Sequence, residues 1–211
     1  MPTFDDGAKP TATAYILAGG KSSRFGANKA LVNVCGTPQI QRLANQLRAD
    51  SWQAVAVSQR FGEFDQLGIR TIADVAPDQG PVAGILAAIL DFQSVGQSSH
   101  PWTLILTCDL WAWDPSWTRL LLWDFRSPEN KDEQQVILRY LQGPEFHPFP
   151  CLIHRDALSK IEHAWNCGHR SMRQLFEQLD RSAVSVSGLS IDPPKSFNTP
   201  SELERLQGES R

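Results

Sequence analysis

No apolar run in this sequence approaches the roughly 20 residues that a membrane-spanning helix needs. No charge of either sign dominates: 20 Lys and Arg stand against 23 Asp and Glu, a formal net charge of −3. The first absence argues against a membrane protein, and the second removes the basic footprint expected of a nucleic-acid binder. Cysteine is scarce, with four residues in 211, and Cys35, Cys108, Cys151 and Cys167 have no C-x-x-C spacing. They read as reduced thiols of a cytoplasmic protein, buried or incidental, rather than as a disulfide framework or metal ligands. Internal repeats and low-complexity segments are missing. Residues 1–12 hold Asp5, Asp6 and Gly7 and no apolar stretch, so a flexible N-terminal tail is expected there rather than a signal peptide.

What is present suits a single folded unit. Apolar residues make up 41% of the chain and charged residues 20%, enough at this length for one full core. Trp102, Trp111, Trp113, Trp117 and Trp123 lie close in sequence and are expected to serve core packing or a subunit interface rather than ligand stacking. Strand-like runs over 13–17, 54–58, 69–72, 103–107 and 183–186 alternate with helical patterns opened by Thr37 as N-cap and Pro38 as first helical residue, from Pro81, over 115–125, 157–165 and 171–179, and from Thr199. An extended run within 131–142 is interrupted by Phe146-His-Pro-Phe-Pro150 and resumes at 151–154; prolines at this density suit a sheet edge or a loop bordering a site. The alternation predicts one Rossmann-like α/β domain over 13–211, a mostly parallel sheet with helices on both faces.

One stretch carries most of the chemistry. Tyr15-Ile-Leu-Ala-Gly-Gly-Lys-Ser-Ser-Arg-Phe-Gly-Ala-Asn-Lys29 runs from an apolar strand through Gly19-Gly20 into a loop with Lys21, Arg24 and Lys29 and no carboxylate. Such a loop holds phosphates, because glycine lets the backbone approach, amides donate and basic side chains neutralise charge. It is not a Walker A loop, since Gly20-Lys21-Ser22 would need a glycine where Tyr15 stands. Nor is it G-x-G-x-x-G, because Gly19 and Gly20 adjoin and the next glycine is Gly26. The pattern that remains is L-A-G-G-x-S-x-R-M/F-G-x-x-K.

Three further segments stand in order behind it. Thr107-Cys108-Asp109 sets a carboxylate directly after a buried apolar strand. Mg²⁺ takes one or two carboxylates and completes its shell with water and phosphate oxygens, so Asp109 is the candidate metal ligand. Asp74-Val-Ala-Pro-Asp-Gln-Gly-Pro-Val-Ala-Gly84 opens a helix at Gly80-Pro81, with Asp78 reading as a turn residue. Asn198-Thr-Pro-Ser-Glu202 is a capping box preceded by an asparagine.

These four motifs in this order resemble the molybdenum cofactor guanylyltransferase family, and the resemblance spans nearly the whole chain. It implies a fold of the nucleotide-diphospho-sugar transferase type. It also implies transfer of GMP from GTP to molybdenum-molybdopterin, forming molybdopterin guanine dinucleotide and releasing pyrophosphate, with Mg²⁺ as cofactor. By the same resemblance the backbone of Leu17, Ala18 and Gly19, with Gly20 beside them, borders the purine. Arg24 and Lys29 grip the triphosphate, Asp74 contacts the guanine nucleotide, Asp109 holds the metal, and Asn198 supplies a second metal or substrate contact. Lys21 falls at a variable position and has no assigned role. Phe146-His147-Pro148 is similar to a Q/H-P motif near the acceptor, and Arg170 or Arg173 in Gly168-His-Arg-Ser-Met-Arg-Gln-Leu175 is a candidate for an acceptor phosphate. Expected protein partners are molybdenum-insertion proteins or acceptor molybdoenzyme chaperones. Three positions depart from the family pattern: Leu110-Trp111 where it has x-Pro, Ser58 where Asn is common, and Ser196 where a further Asn is frequent. Three alternatives remain open at this point: a cytidylyltransferase of the same cofactor, a sugar- or polyol-phosphate nucleotidyltransferase, and a catalytically silent nucleotide-binding partner.

Overall fold

The structure, a computed structural model, describes residues 12–20, 25–95, 100–123, 137–142, 148–185 and 191–209. The expectations for Lys21, Arg24, His147 and nearly all of the N-terminal tail lie outside these residues. In chain order the elements are strand β1 (Ala12–Leu17), hairpin strands β2 (Asn33–Val34) and β3 (Thr37–Pro38), helix α1 (Gln39–Ala49), β4 (Trp52–Ser58) and β5 (Arg70–Ala73). Helix α2 (Pro81–Ser94), β6 (Trp102–Thr107), α3 (Pro115–Trp123), β7 (Leu138–Gln142) and β8 (Cys151–His154) follow. Helices α4 (Leu158–Asn166) and α5 (Met172–Gln178), strand β9 (Arg181–Ser185) and helix α6 (Pro200–Glu209) complete the chain.

Seven strands form the main sheet in the order β5-β4-β1-β6-β8-β7-β9. All neighbours pair parallel except β8, which runs antiparallel to both β6 and β7. The apolar runs without alternation follow from this placement, because a central parallel strand buries both faces. Ala14 and Ile16 of β1, Ala54 and Ala56 of β4 and Leu104 and Leu106 of β6 pack with Ile40, Leu43, Ala44 and Leu47 of α1 and Trp117 and Leu121 of α3. Tyr15, Val55, Val57 and Ile105 turn to the other face, against Val82, Ile85, Leu86 and Ile89 of α2 and the apolar sides of α4 and α5. Trp102, Trp113 and Trp117 are buried, so these three tryptophans are core, with Trp113 and Trp117 edge to face at 5.6 Å. All four cysteines are free thiols.

Two local expectations are corrected. Thr37 and Pro38 do not open α1 as N-cap and first residue; they pair with Val34 and Asn33 in the hairpin. The helix starts one residue later because the Gln39 amide finds the Val32 carbonyl at 2.9 Å and needs no threonine cap. Of the two placements expected for the proline-rich segment, the sheet edge is excluded, because the strand that follows it, β8, is interior. Its prolines precede Cys151 rather than enter the strand, so no ladder amide is lost.

The connections locate the site. From β1 the chain winds to β4 and β5 on one side, then crosses to β6 on the other. Between β1 and β6 the winding reverses, and ligands of open α/β sheets bind beyond the carboxyl ends of strands at such a point.

Candidate active site

The last rungs of the sheet define where the backbone leaves it. The Cys108 amide donates to the Leu17 carbonyl at 3.0 Å and the Ala18 amide to Val57 at 2.8 Å. Beyond them Gly19 and Gly20 turn outward, and the Gly19 carbonyl accepts from Gln59 Nε2 at 3.2 Å. A cavity of about 250 Å³ opens here, walled by Ala18, Gly19, Gly20, Asn28, Ser58 and Glu63 among others.

Lys29 returns to the sheet from the far end of the loop. It begins a short 3-10 turn, Lys29–Leu31, whose N-cap Asn28 accepts from the Ala30 amide at 3.0 Å while Ala30 is buried. Its Nζ donates to Asn198 Oδ1 at 2.8 Å and lies 3.4 Å from Asp109 Oδ2. Asp109 Oδ1 accepts from the Thr107 hydroxyl at 2.6 Å. Residues 29, 109 and 198 thus converge from three remote stretches of sequence. The ammonium occupies a point on which two oxygen donors are trained, so the donor set accepts a cation there, and hard oxygens suit Mg²⁺. Among the described residues no three His, Cys, Asp or Glu side chains gather as a metal cage. The neighbouring Cys108 thiol is pushed up to about 12, by loss of solvent first and the Asp109 charge second, so it stays neutral.

A backbone zipper fixes Asp109 against Asn198. The Trp111 amide donates to Lys195 at 2.8 Å and the Phe197 amide to Asp109 at 3.0 Å, with Leu110 and Ser196 bridged antiparallel between them. Gln39 Nε2 donates to the Leu110 carbonyl at 2.5 Å, and Arg42, stacked 4.6 Å over the Trp111 ring, donates to the Trp111 carbonyl. This accounts for two departures from the family pattern. A proline at 111 would have no amide for Lys195, and Ser196 contributes backbone only. Behind Asn198, Phe197 packs with Val34, Leu203 and Leu206, which seats α6. The expected capping box is present: Glu202 Oε2 accepts from the Asn198 and Thr199 amides and the Glu202 amide donates to Thr199 Oγ1. Those amides, Asn198 first, hold the Glu202 carboxyl below its ordinary range.

Asp74 stands on the α2 side of the loop. Its Oδ1 accepts from the Ala76 amide at 2.9 Å, and Oδ2 lies 3.6 Å from the Cβ position of both Gly19 and Gly84. Desolvation, with Asp78 adding, raises its pKa against the pull of the Ala76 amide. Asp78 is a loop residue bound to Gln59 Nε2 at 2.9 Å. Gly80 is required by geometry: φ is +93°, and a Cβ would meet the Arg170 carbonyl oxygen at 2.5 Å. Gly80→Ala is therefore expected to cost about 2–4 kcal/mol, strain and overpacking together. Urea unfolding measures it, and a wild-type midpoint would mean that α2 is not docked on Arg170. The Arg170 guanidinium itself stacks 3.6 Å over Trp165 and caps α4 through the Trp165 carbonyl, while Arg173 is exposed on α5. Glu63, Ser58 and Thr107 were not singled out by sequence reasoning. Ser58 appeared only as a departure, and a glutamate five residues beyond a strand carries no local signal of its position.

The model of the MobA-like NTP transferase domain matches residues 14–183. The chain belongs to this family. A molybdenum cofactor guanylyltransferase of Pseudomonas paraeruginosa is 31% identical over 206 residues, covering 95% of this chain and 96% of the relative. Among solved structures, molybdopterin-guanine dinucleotide biosynthesis protein A from Archaeoglobus fulgidus superposes with a TM-score of 0.69 at 20% identity, over 94% of this chain and 98% of the other. CMP:2-keto-3-deoxy-manno-octonic acid synthetase complexed with CTP gives 0.65 at 14% identity, over 94% and 98%. These two establish the shared fold, a sheet of the nucleotide-diphospho-sugar transferase type. Within this MobA-like domain Lys29 and Asp109 fall inside the matched segment and Asn198 beyond its end.

Proposed function

We propose that the protein transfers GMP from GTP to the terminal phosphate of molybdenum-molybdopterin and releases pyrophosphate. The observation that carries this reading is the meeting of Lys29, Asp109 and Asn198 at the switch point, directly beside the Gly19-Gly20 loop. The acceptor phosphate oxygen attacks the α-phosphorus in line as the α–β bridging P–O bond breaks, and the electron pair leaves on pyrophosphate. The acceptor is already anionic, so no general base is needed, and catalysis rests on positioning and charge. Lys29, with Arg24, neutralises charge growing on pyrophosphate. The amides of the loop face the triphosphate, and Leu17, Ala18 and Gly19 border the purine with Asp74 at its side. Asp109 and Asn198 would hold Mg²⁺, which when bound would supply Lewis-acid stabilisation of phosphate charge. The flexible Lys29 stem would let its ammonium reach the phosphates from beside Asp109.

The relatives' activity favours guanylyl transfer over cytidylyl transfer or a sugar-phosphate substrate, and a site with both Lys29 and Asp109 favours catalysis over silent binding. Free thiols at all four cysteines suit the cytoplasm, and no helix among the described residues is long and apolar enough to cross a membrane. Molybdenum-insertion proteins or molybdoenzyme chaperones would receive the product. Calorimetry with Mg²⁺ tests nucleotide choice: GTP should bind at least about tenfold more tightly than CTP, a difference of ~1.4 kcal/mol. Equal or tighter CTP binding rejects the guanylyl assignment.

A further inference from the structure

Resting on the guanylyl reading, we propose that Glu63, oriented by Ser58, reads the Watson–Crick edge of guanine and sets base selectivity. The cavity wall that includes Ala18 and Gly19, the backbone expected to border the purine, also includes Ser58, Arg60 and Glu63. Among the described residues of this wall, Glu63 brings the only carboxylate. Ser58 ends β4 and is 1% exposed. Its hydroxyl donates to Glu63 Oε2 at 2.5 Å, so a buried side chain fixes the carboxylate from behind. The Glu63 side chain is 13% exposed, withdrawn from bulk water yet open to the cavity.

The donor pattern of the base decides what such a group selects. A carboxylate accepts only, and each of its oxygens has two lone pairs. Oε2 spends one on Ser58. Oε1 faces Arg60 Nη2 at 3.4 Å, but the Arg60 side chain is 79% exposed, and a surface pair of this kind holds weakly and can yield. Guanine presents two adjacent donors, N1–H and the exocyclic N2 amine, which match two carboxylate oxygens side by side. Adenine and cytosine present one amine beside a ring nitrogen whose lone pair would oppose the second oxygen. A site built to receive donors rejects a base lacking them, because its own polar group is left unpaired.

Asp74 is the competing carboxylate, and its surroundings differ. One oxygen is committed to the Ala76 amide, and the other is packed beside Gly19 and Gly84 on the α2 side. It meets the nucleotide from there and is not part of the cavity wall. Ser58 stands where an asparagine is common in the family. The serine is too short to reach a base across the cavity, and the Ser58–Glu63 pair extends the contact.

Inosine triphosphate isolates the contact, since it keeps N1–H and O6 but lacks the N2 amine. By calorimetry with Mg²⁺, the wild-type protein should prefer GTP over ITP roughly tenfold or more, as a hydrogen bond to a charged group warrants. In Glu63→Gln that gap should shrink to about twofold, with CTP affinity unchanged and the melting temperature near wild type. A full GTP-over-ITP gap in Glu63→Gln overturns the proposal while leaving guanylyl transfer standing. Wild-type preference for CTP would instead reject guanylyl transfer and the proposal with it. Should Glu63→Gln fail to fold, Ser58→Ala keeps the carboxylate but frees it, and it should narrow the same gap. An undiminished gap there counts against Glu63 equally.

Discussion

Asp109→Asn will leave a folded protein with turnover reduced roughly a thousandfold or more, the scale of losing a central electrostatic group in the transition state. The fold survives because the change spares the backbone, and the Asp109 carbonyl still accepts from Phe197. What goes is the charge. The asparagine retains one oxygen for Thr107 and turns an amide NH₂ toward Lys29 and any cation, a donor where an acceptor is needed. On the proposed reading a bound cation then loses its protein carboxylate, and Lys29 loses the anion beside it. Pyrophosphate release with molybdenum-molybdopterin, excess GTP and Mg²⁺ measures the loss, and a thermal melt confirms folding. Near wild-type turnover would remove Asp109 from the metal site.

Lys29→Ala should separate binding from chemistry. Charge grows on the departing pyrophosphate, so the ammonium counts for more in the transition state than in the ground state. Loss of one such contact costs roughly 3 kcal/mol, about a hundredfold in kcat or more. GTP affinity should fall less, because Arg24 and the loop amides remain. Lys29 also joins Asn198 to Asp109, so the variant leaves two oxygen groups facing one another, which added Mg²⁺ should partly relieve. Lys21→Ala, at the variable position of the same loop, should change little and serves as control. If Lys21→Ala proved the damaging change and Lys29→Ala the mild one, the loop would run differently from the family pattern.

Much of this architecture was legible because each signal was local. Strand β1, β4 and β6 are apolar runs because they are buried on both faces, and α2 begins at Pro81 because a proline fits the first helical position. The capping box at Thr199 was readable from four residues. Lys29, Asp109 and Asp74 could be picked out from their motifs. What stayed hidden depends on meetings between distant segments. Nothing in Cys151–His154 says that it runs antiparallel inside the sheet. The exchange between Trp111 and Lys195 is made by backbone, which leaves no mark on residue type. Glu63 is a loop glutamate until Ser58, five residues earlier, is seen to hold it inside the cavity. The hairpin at 33–38 was missed for a related reason, since Thr37-Pro38 carries a stronger helix-start signal than strand signal.

The strap from Lys195 to Asn198 has a consequence for how the protein comes into being. Chains grow from the N-terminus and their domains fold as segments emerge. Strands β1, β4, β5 and β6 can associate early, and by then the nascent chain already has its glycine loop, Lys29 and Asp109. Asn198 and the two amide rungs that lock it to Asp109 come from a stretch translated long after Asp109. A nascent chain that has not yet reached residue 198 therefore has a recognisable sheet and an unassembled candidate site.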